Sequence, residues 1–237
     1  MRYFVLSLFI ACAGLVQAQS SKVTKGTDLW DAILKANVTP GGVVDYKGIA
    51  ENKDFKKAIE LLASEAPTDK WEKNAAKAHW INLYNAFTVK LIVDNMPIAS
   101  IKDIDEPWKK PFIVIGDATY SLDQIEHEIL RKNFTDARIH FALNCASFSC
   151  PVLHNAAFRA DGLDEKLTML TQNFLNDINR NQISGPLANV SQIFEWYASD
   201  FEAEGGVRAF IAKYRGREIA DNVKLKYIPY DWKLNGK

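Results

Sequence analysis

The feature that most constrains the fold is the spacing of the apolar residues, which follows the period of an α-helix along most of the chain. Within residues 53–64, for example, Phe55, Ala58, Ile59 and Leu62 recur at helical intervals and would share one helix face. The same pattern predicts helices over 28–36, 69–95, 121–132, 163–178, 192–202 and 207–214. Helices therefore dominate the predicted fold.

Residues that begin or end helices lie at the edges of these segments. Thr68 can cap the longest predicted helix, and Pro97 would stop it. Ser121 and Gln124 form a capping box, in which each side chain bonds the other residue's backbone amide. Gly216 would end the last helix. These boundaries support the helical pattern independently of its apolar spacing.

Strand signals are fewer. Residues 112–120 predict a β-hairpin that turns at Gly116. Residues 138–143 predict a buried strand, and residues 224–228 predict a strand with one exposed face. The expected fold class is α+β: a predominantly helical single domain with a small antiparallel sheet.

The first residues are typical of an export signal. Residues 1–18 hold a basic start, an apolar run shorter than the roughly 20 residues that span a bilayer, and a small-residue cleavage pattern at Ala18. We expect cleavage there, a flexible leader over 19–27 and a single domain over 28–237. A lipid anchor on Cys12 is a weaker alternative. The protein is predicted to be periplasmic or secreted, without a membrane span.

Composition limits the class of partner. The chain has 237 residues with 29 basic and 29 acidic side chains, 48% hydrophobic and 24% charged residues. These are values of a folded globular protein, and zero net charge argues against a nucleic-acid partner. A small-molecule or peptide substrate is the expectation.

The segment 140–154 concentrates the reactive side chains. Our leading hypothesis is a hydrolase or acyl-transferase with Cys145 as the nucleophile, its pKa lowered by an imidazolium or a helix N-terminus. His140 or His127 would be the base, with His79 a further candidate. Backbone amides of the loop after Cys145 would bind an oxyanion. On a strand, however, His140 and Cys145 would face opposite sides.

Two other polar groups could orient the base. Glu126 precedes His127 on a predicted helix, and the alternative for this carboxylate is an exposed charge. Asn82 shares a helix face with His79 and Asn85, and the favoured alternative for the asparagines is a structural network with neighbouring backbone.

Other interpretations of the cysteines remain open. A Cys145–Cys150 disulfide could be redox-active, or could fix the conformation of a loop in a non-enzymatic binding or scaffold domain. Four potential zinc ligands also lie within fifteen residues: His140, Cys145, Cys150 and His154. Their spacing is longer than is usual for zinc ligands, and we therefore predict neither a metal nor a cofactor.

Aromatic residues cluster in two later segments, 192–201 and 227–235. Core packing is the expected role of both, with a sugar- or lipid-facing surface as the alternative. Arg131 and Arg138 are expected to form structural ion pairs.

Five strings of this sequence together resemble one family, catalogued as domain of unknown function 547. They are HWINLYNA (79–86), SLDQIEHEILR (121–131), RIHFALNCASFSCP (138–151), IFEWYASDF (193–201) and YIPYDWKLN (227–235). The resemblance implies an exported bacterial member and places Cys145, Cys150, His127 and His140 at the family's signature positions. The family's occasional pairing with glutaredoxin-like modules suggests thiol chemistry. The resemblance supports a site but does not identify its reaction.

Overall fold

The computed structural model describes residues 20–184 and 186–237, so the predicted signal peptide lies outside the described residues. The α-helices are α1 (Ser21–Asn37), α2 (Tyr46–Ala50), α3 (Phe55–Leu62), α4 (Lys73–Asn95), α5 (Arg131–Phe134), α6 (Leu163–Asn176), α7 (Ile193–Trp196) and α8 (Gly206–Arg215). A π-helix spans Gln124–Leu130, and 3-10 helices span Ile101–Asp103, Ala137–Phe141 and Ala198–Glu204. The strands are β1 (Ile113–Ile115), β2 (Ala118–Tyr120), β3 (Gln182–Ser184), β4 (Leu187–Ser191) and β5 (Lys226–Ile228). The predicted α+β, mostly helical class is confirmed.

Helix α1 begins earlier than the sequence predicts, because its first turns pack against α3. Ser20 caps it by accepting a hydrogen bond from the amide of Val23. A Cβ at Gly26 would lie 2.7 Å from the Leu62 nitrogen, so glycine is needed for this close approach. Residues 21–27 of the expected flexible leader over 19–27 are therefore helical, and residue 19 lies outside the described residues.

Helix α4 is buried over most of its surface and forms the centre of the larger core. The Glu72 carboxylate caps its first turn by accepting from two backbone amides at 2.9 and 2.8 Å. The helix therefore starts later than predicted, and Thr68 does not cap it. It ends at Asn95, shortly before the predicted stop at Pro97.

The strands form two small sheets. β1 and β2 are the predicted hairpin, with Gly116 in the left-handed region at φ +58°. β3 pairs antiparallel with β4, and β5 joins the other edge of β4 in the parallel sense. The parallel pairing arises because the chain reaches β5 through α7 and α8 rather than through a tight turn.

Two apolar clusters fill the interior. The main core surrounds α4 and contains residues from α1, α2, α3 and α6. The aromatic core lies around α8 and includes Phe141, Phe174, Phe194, Phe201 and Phe210. No helix within the described ranges is long and apolar enough to cross a bilayer.

The segment predicted as a buried strand, 138–143, is instead a 3-10 helix over Ala137–Phe141. The Asp136 carboxylate caps it by accepting from the Arg138 amide at 3.2 Å. A short apolar run suits either structure, and here the cap favours the helix. The turn places Phe141 in the aromatic core and Leu143 in the main core, so the reactive segment lies where the two meet.

Candidate active site

An amide network anchors the loop that carries Cys145. Asn85 on α4 donates to the Ala142 carbonyl and accepts from the Asn144 amide, both at 2.9 Å. The Asn144 side chain in turn accepts from the Ala146 amide at 2.9 Å. Ala146 has φ +62°, a conformation that costs energy for a residue with a side chain. The backbone on both sides of Cys145 is therefore held by buried amides.

The C-terminal segment lies across the other side of this loop. The Phe148 amide donates to the Lys233 carbonyl at 2.7 Å, and the Ser149 amide donates to the Asp231 carbonyl at 3.2 Å. These bonds bring Tyr230, from the same segment, next to the cysteines.

Hydrogen-bonding groups surround the Cys145 sulfur. Its Sγ lies 2.8 Å from Cys150 Sγ, 3.2 Å from Ser147 Oγ and 3.5 Å from Tyr230 Oη. Both cysteines are free, since the sulfur separation exceeds the roughly 2.05 Å of a disulfide bond. The disulfide considered from the sequence is therefore not formed in this structure.

The two thiols have oppositely shifted pKa values. Hydrogen bonds from Cys150, Ser147 and Tyr230 outweigh burial and lower the pKa of Cys145 to about 7. Burial, reinforced by the neighbouring thiolate, raises the pKa of Cys150 well above its usual value. Cys145 is therefore activated by neutral donors, and no hydrogen bond joins it to an imidazole among the described residues.

Most backbone amides of the loop are already used. The Cys145 amide donates to Cys150 Sγ, the Ala146 amide to Asn144, and those of Phe148 and Ser149 to the C-terminal segment. The expectation that this backbone would bind an oxyanion therefore fails for these amides. The Tyr230 hydroxyl is a side-chain donor that lies near Cys145 and also lines the cavity.

His140 is held by a carboxylate. Its Nε2 donates to Asp200 Oδ2 at 2.8 Å, which leaves Nδ1 as the basic nitrogen. Its ring stacks on Tyr197 at a centroid distance of 3.9 Å. Arg131 binds both Asp200 oxygens at 2.6 Å. Burial raises the Asp200 pKa, but the bonds from Arg131 and His140 outweigh it and hold the pKa far below its usual value.

The π-helix carries the other two candidate groups. The predicted capping box at its start is observed between Ser121 and Gln124, and π-helical turns are frequent at functional sites. His127 Nδ1 accepts from the Arg131 guanidinium at 2.9 Å, since arginine can only donate. Glu126 is 7% exposed and interacts with the Tyr197 hydroxyl.

A cavity of about 240 Å³ brings these groups together. Its wall contains Cys145, Cys150, His127, His140, Glu126, Asp123, Leu143, Pro151, Ile193 and the aromatic residues Trp108, Trp196, Tyr197, Tyr230 and Trp232. Four of the five sequence-predicted site residues therefore line one cavity.

Asn82, the fifth, lies elsewhere. Its amide nitrogen donates to the Phe158 carbonyl at 2.8 Å, and its oxygen accepts from the Phe158 amide at 2.9 Å. It orients no imidazole, and Asp200 occupies that position instead. His79 is fully buried and bonds the Glu65 carbonyl at 3.2 Å. Burial lowers its pKa to about 4.

The possible zinc ligands do not converge. His154 lies outside the cavity lining, 6.1 Å from the Phe158 ring, and burial lowers its pKa to about 4. Within residues 20–184 and 186–237, no group of three or more His, Cys, Asp or Glu side chains is arranged to bind a metal.

Sequence reasoning assigned no chemical role to two polar residues of the site, Asp200 and Tyr230. Asp200 lies in a string quoted for the family resemblance, but its partner His140 is 60 residues away along the chain. Tyr230 and Cys145 are 85 residues apart. Arg131 was correctly expected to form an ion pair, and its position four residues after His127 was a usable signal.

One comparison with known proteins gives a match. Residues 68–175 match the family model described as "Protein of unknown function, DUF547". The matched range includes both cysteines and the two cavity histidines, whereas Tyr197, Asp200 and Tyr230 lie beyond it. No curated protein and no solved structure matches the chain.

Proposed function

We propose that the chain, which contains a DUF547 family domain at residues 68–175, is a thiol-dependent hydrolase or acyl-transferase with Cys145 as the nucleophile. One observation carries the proposal: Cys145, with a pKa of about 7, opens into the same cavity as His140, whose ring is oriented by Asp200. A thiolate populated near neutral pH and an oriented imidazole are the two groups that acyl transfer needs.

In the proposed reaction, the Cys145 thiolate attacks a substrate carbonyl carbon and forms a tetrahedral oxyanion. The Tyr230 hydroxyl, 3.5 Å from the sulfur, donates to that oxyanion. The bond to the leaving group then breaks, and the leaving group takes a proton from protonated His140. Water or an acceptor alcohol attacks the thioester and gives its proton to His140 Nδ1, which regenerates the Cys145 thiolate.

The test is a panel of p-nitrophenyl esters, followed by intact mass and peptide mapping. We expect transient acylation of Cys145, which Cys145→Ala abolishes and Cys150→Ala retains. Cys150→Ala is the matched control, because the second thiol lies only 2.8 Å away. Acylation at Cys150, or no acylation with any ester, would refute the proposal.

A second candidate, dithiol–disulfide exchange, is favoured by the 2.8 Å separation of the sulfurs and their opposite pKa shifts. The Cys145 thiolate would attack a substrate disulfide and release one substrate thiol. Cys150 would then attack Cys145 Sγ, releasing the second thiol. The chain is oxidised to the Cys145–Cys150 disulfide, and the substrate disulfide is reduced by two electrons.

Oxidised glutathione distinguishes the two candidates. The redox function predicts rapid loss of two hydrogens from the intact chain, and a persistent glutathione adduct on Cys145 in the Cys150→Ala variant. If the chain acylates but exchanges no faster than a free cysteine peptide, the acyl-transfer function stands alone.

We also propose that the protein acts in the periplasm or outside the cell after cleavage near Ala18. The support is the signal-peptide composition of residues 1–18. N-terminal sequencing of the protein from fractionated cells should find Gln19 first, and an intact Met1 in the cytoplasm would contradict the proposal.

A further inference from the structure

The charges on the cavity wall are unbalanced. Among the residues that the structure describes, its wall contains the carboxylates of Glu126 and Asp123 but no lysine or arginine. The nearby Arg131 guanidinium donates two hydrogen bonds to a carboxylate, and both go to Asp200. Asp123 lies 3.8 Å from His127, whose other ring nitrogen accepts from Arg131. The described lining of the cavity therefore contains no lysine or arginine to balance these carboxylates.

Glu126 is the more buried of these two carboxylates. It is 7% exposed and takes part in none of the ion pairs of residues 20–184 and 186–237. The Tyr197 hydroxyl is a neutral partner. The Arg131 guanidinium attracts Glu126 only from a distance, because its hydrogen bonds to a carboxylate go to Asp200. A buried carboxylate that no cation contacts directly is costly, and a positively charged ligand in the cavity would reduce that cost.

Aromatic rings form the rest of the recognition surface. Trp196, Tyr230 and Trp232 lie within 4.6 to 5.9 Å of one another, and Trp108 lies 5.5 Å from Trp232. Aromatic faces attract cations, most strongly when several rings surround an ammonium group. One ammonium of the chain already uses this surface, since Lys102 Nζ lies 4.1 Å over the Trp232 ring.

We propose that this cavity selects substrates that carry an ammonium group near the reacting carbonyl, with the aromatic rings and Glu126 binding the cation. That the bound molecule is a substrate rests on the proposed function, whereas the cation site itself does not require catalysis. Neutral acyl groups would lack the attraction to Glu126, and carboxylate-bearing ones would be repelled by it.

The test uses Cys145→Ala, which cannot react, and three probes of similar shape. These are choline, the neutral 3,3-dimethylbutan-1-ol and the anionic 3,3-dimethylbutanoate. Titrations at constant ionic strength are followed by tryptophan fluorescence and calorimetry. We expect choline to bind at least tenfold more tightly than the alcohol, and the anion to bind most weakly.

Glu126→Gln, in the same background, should weaken choline binding about tenfold and leave alcohol binding unchanged. Glu60→Gln is the matched control, because Glu60 is an exposed carboxylate on α3. If Glu126→Gln does not fold, Asp123→Asn should give a smaller loss in the same direction. Equal binding of choline and alcohol, or no choline binding, would overturn the proposal.

The two proposals fail separately. A Cys145 thiol that no ester acylates, together with a choline preference, would refute the enzyme and keep the cation site. Acylation of Cys145 without a choline preference would refute the cation site and keep the enzyme.

Discussion

Replacing Cys150 by alanine tests how Cys145 is activated. The hydrogen bond from Cys150 is the largest cause of the lowered Cys145 pKa, which falls from 9.0 to about 7. Ser147 and Tyr230 remain as donors in the Cys150→Ala variant. We therefore expect the pKa of Cys145 to rise toward its usual value.

Two opposing effects set the alkylation rate of Cys145 in the Cys150→Ala variant: a smaller thiolate fraction and a stronger nucleophile. At pH 7 a rise to 9.0 would lower the thiolate fraction from about one half to about one hundredth. The thiolate formed would be intrinsically about eightfold more nucleophilic, with a Brønsted slope near 0.45. With a full rise to 9.0, Cys145 of the Cys150→Ala variant would be alkylated roughly sixfold more slowly than that of the unchanged protein at pH 7, and roughly eightfold faster above pH 10.

The assay is the rate of iodoacetamide alkylation of Cys145 between pH 5 and about pH 11, with peptide mapping to exclude Cys150 in the unchanged protein. We expect a midpoint near 7 for the unchanged protein and a crossing of the two rate profiles. Cys150→Ser keeps a hydroxyl donor and should move the midpoint less than Cys150→Ala does. An unshifted midpoint in Cys150→Ala would refute the reasoning.

Three further predictions concern Tyr230, Asp200 and Asn85. Tyr230→Phe should lower ester turnover about 100-fold by removing the oxyanion donor, while the acylated residue, identified by mapping, remains Cys145; turnover within twofold of the unchanged protein would contradict this. Asp200→Asn should lower the unfolding free energy by about 2 kcal/mol in urea at pH 7, because Arg131 and His140 lose their partner. Since the Asp200 pKa is depressed, this stabilisation is complete above about pH 4 and should shrink as the pH falls further; a difference independent of pH would contradict it. Asn85→Leu should cost about 3 kcal/mol in the same assay, because two buried backbone groups lose their partners, whereas the exposed Asn95→Leu should cost far less.

The helices were predicted best where the signal is local. The segment 53–64 became α3 and the hairpin at Gly116 formed as expected, because apolar period and turn chemistry act over a few residues. The strand predicted over 138–143 is not observed, because a short apolar run has no period that separates strand from helix. The pairing of β5 with β4 was not predictable, since it depends on the path of the intervening helices.

The sequence by itself determined the helical class, the capping box and the candidate site residues Cys145, His140, His127 and Glu126, since periodicity and residue chemistry can be read within one segment. Only the tertiary structure decided which groups meet. Asp200 replaced Asn82 as the partner of an imidazole, and Tyr230 reached Cys145 from the far end of the chain. The physical reason is that hydrogen bonds and pKa shifts depend on distances of a few ångströms between atoms. Those distances are set by the packing of the main core against the aromatic core.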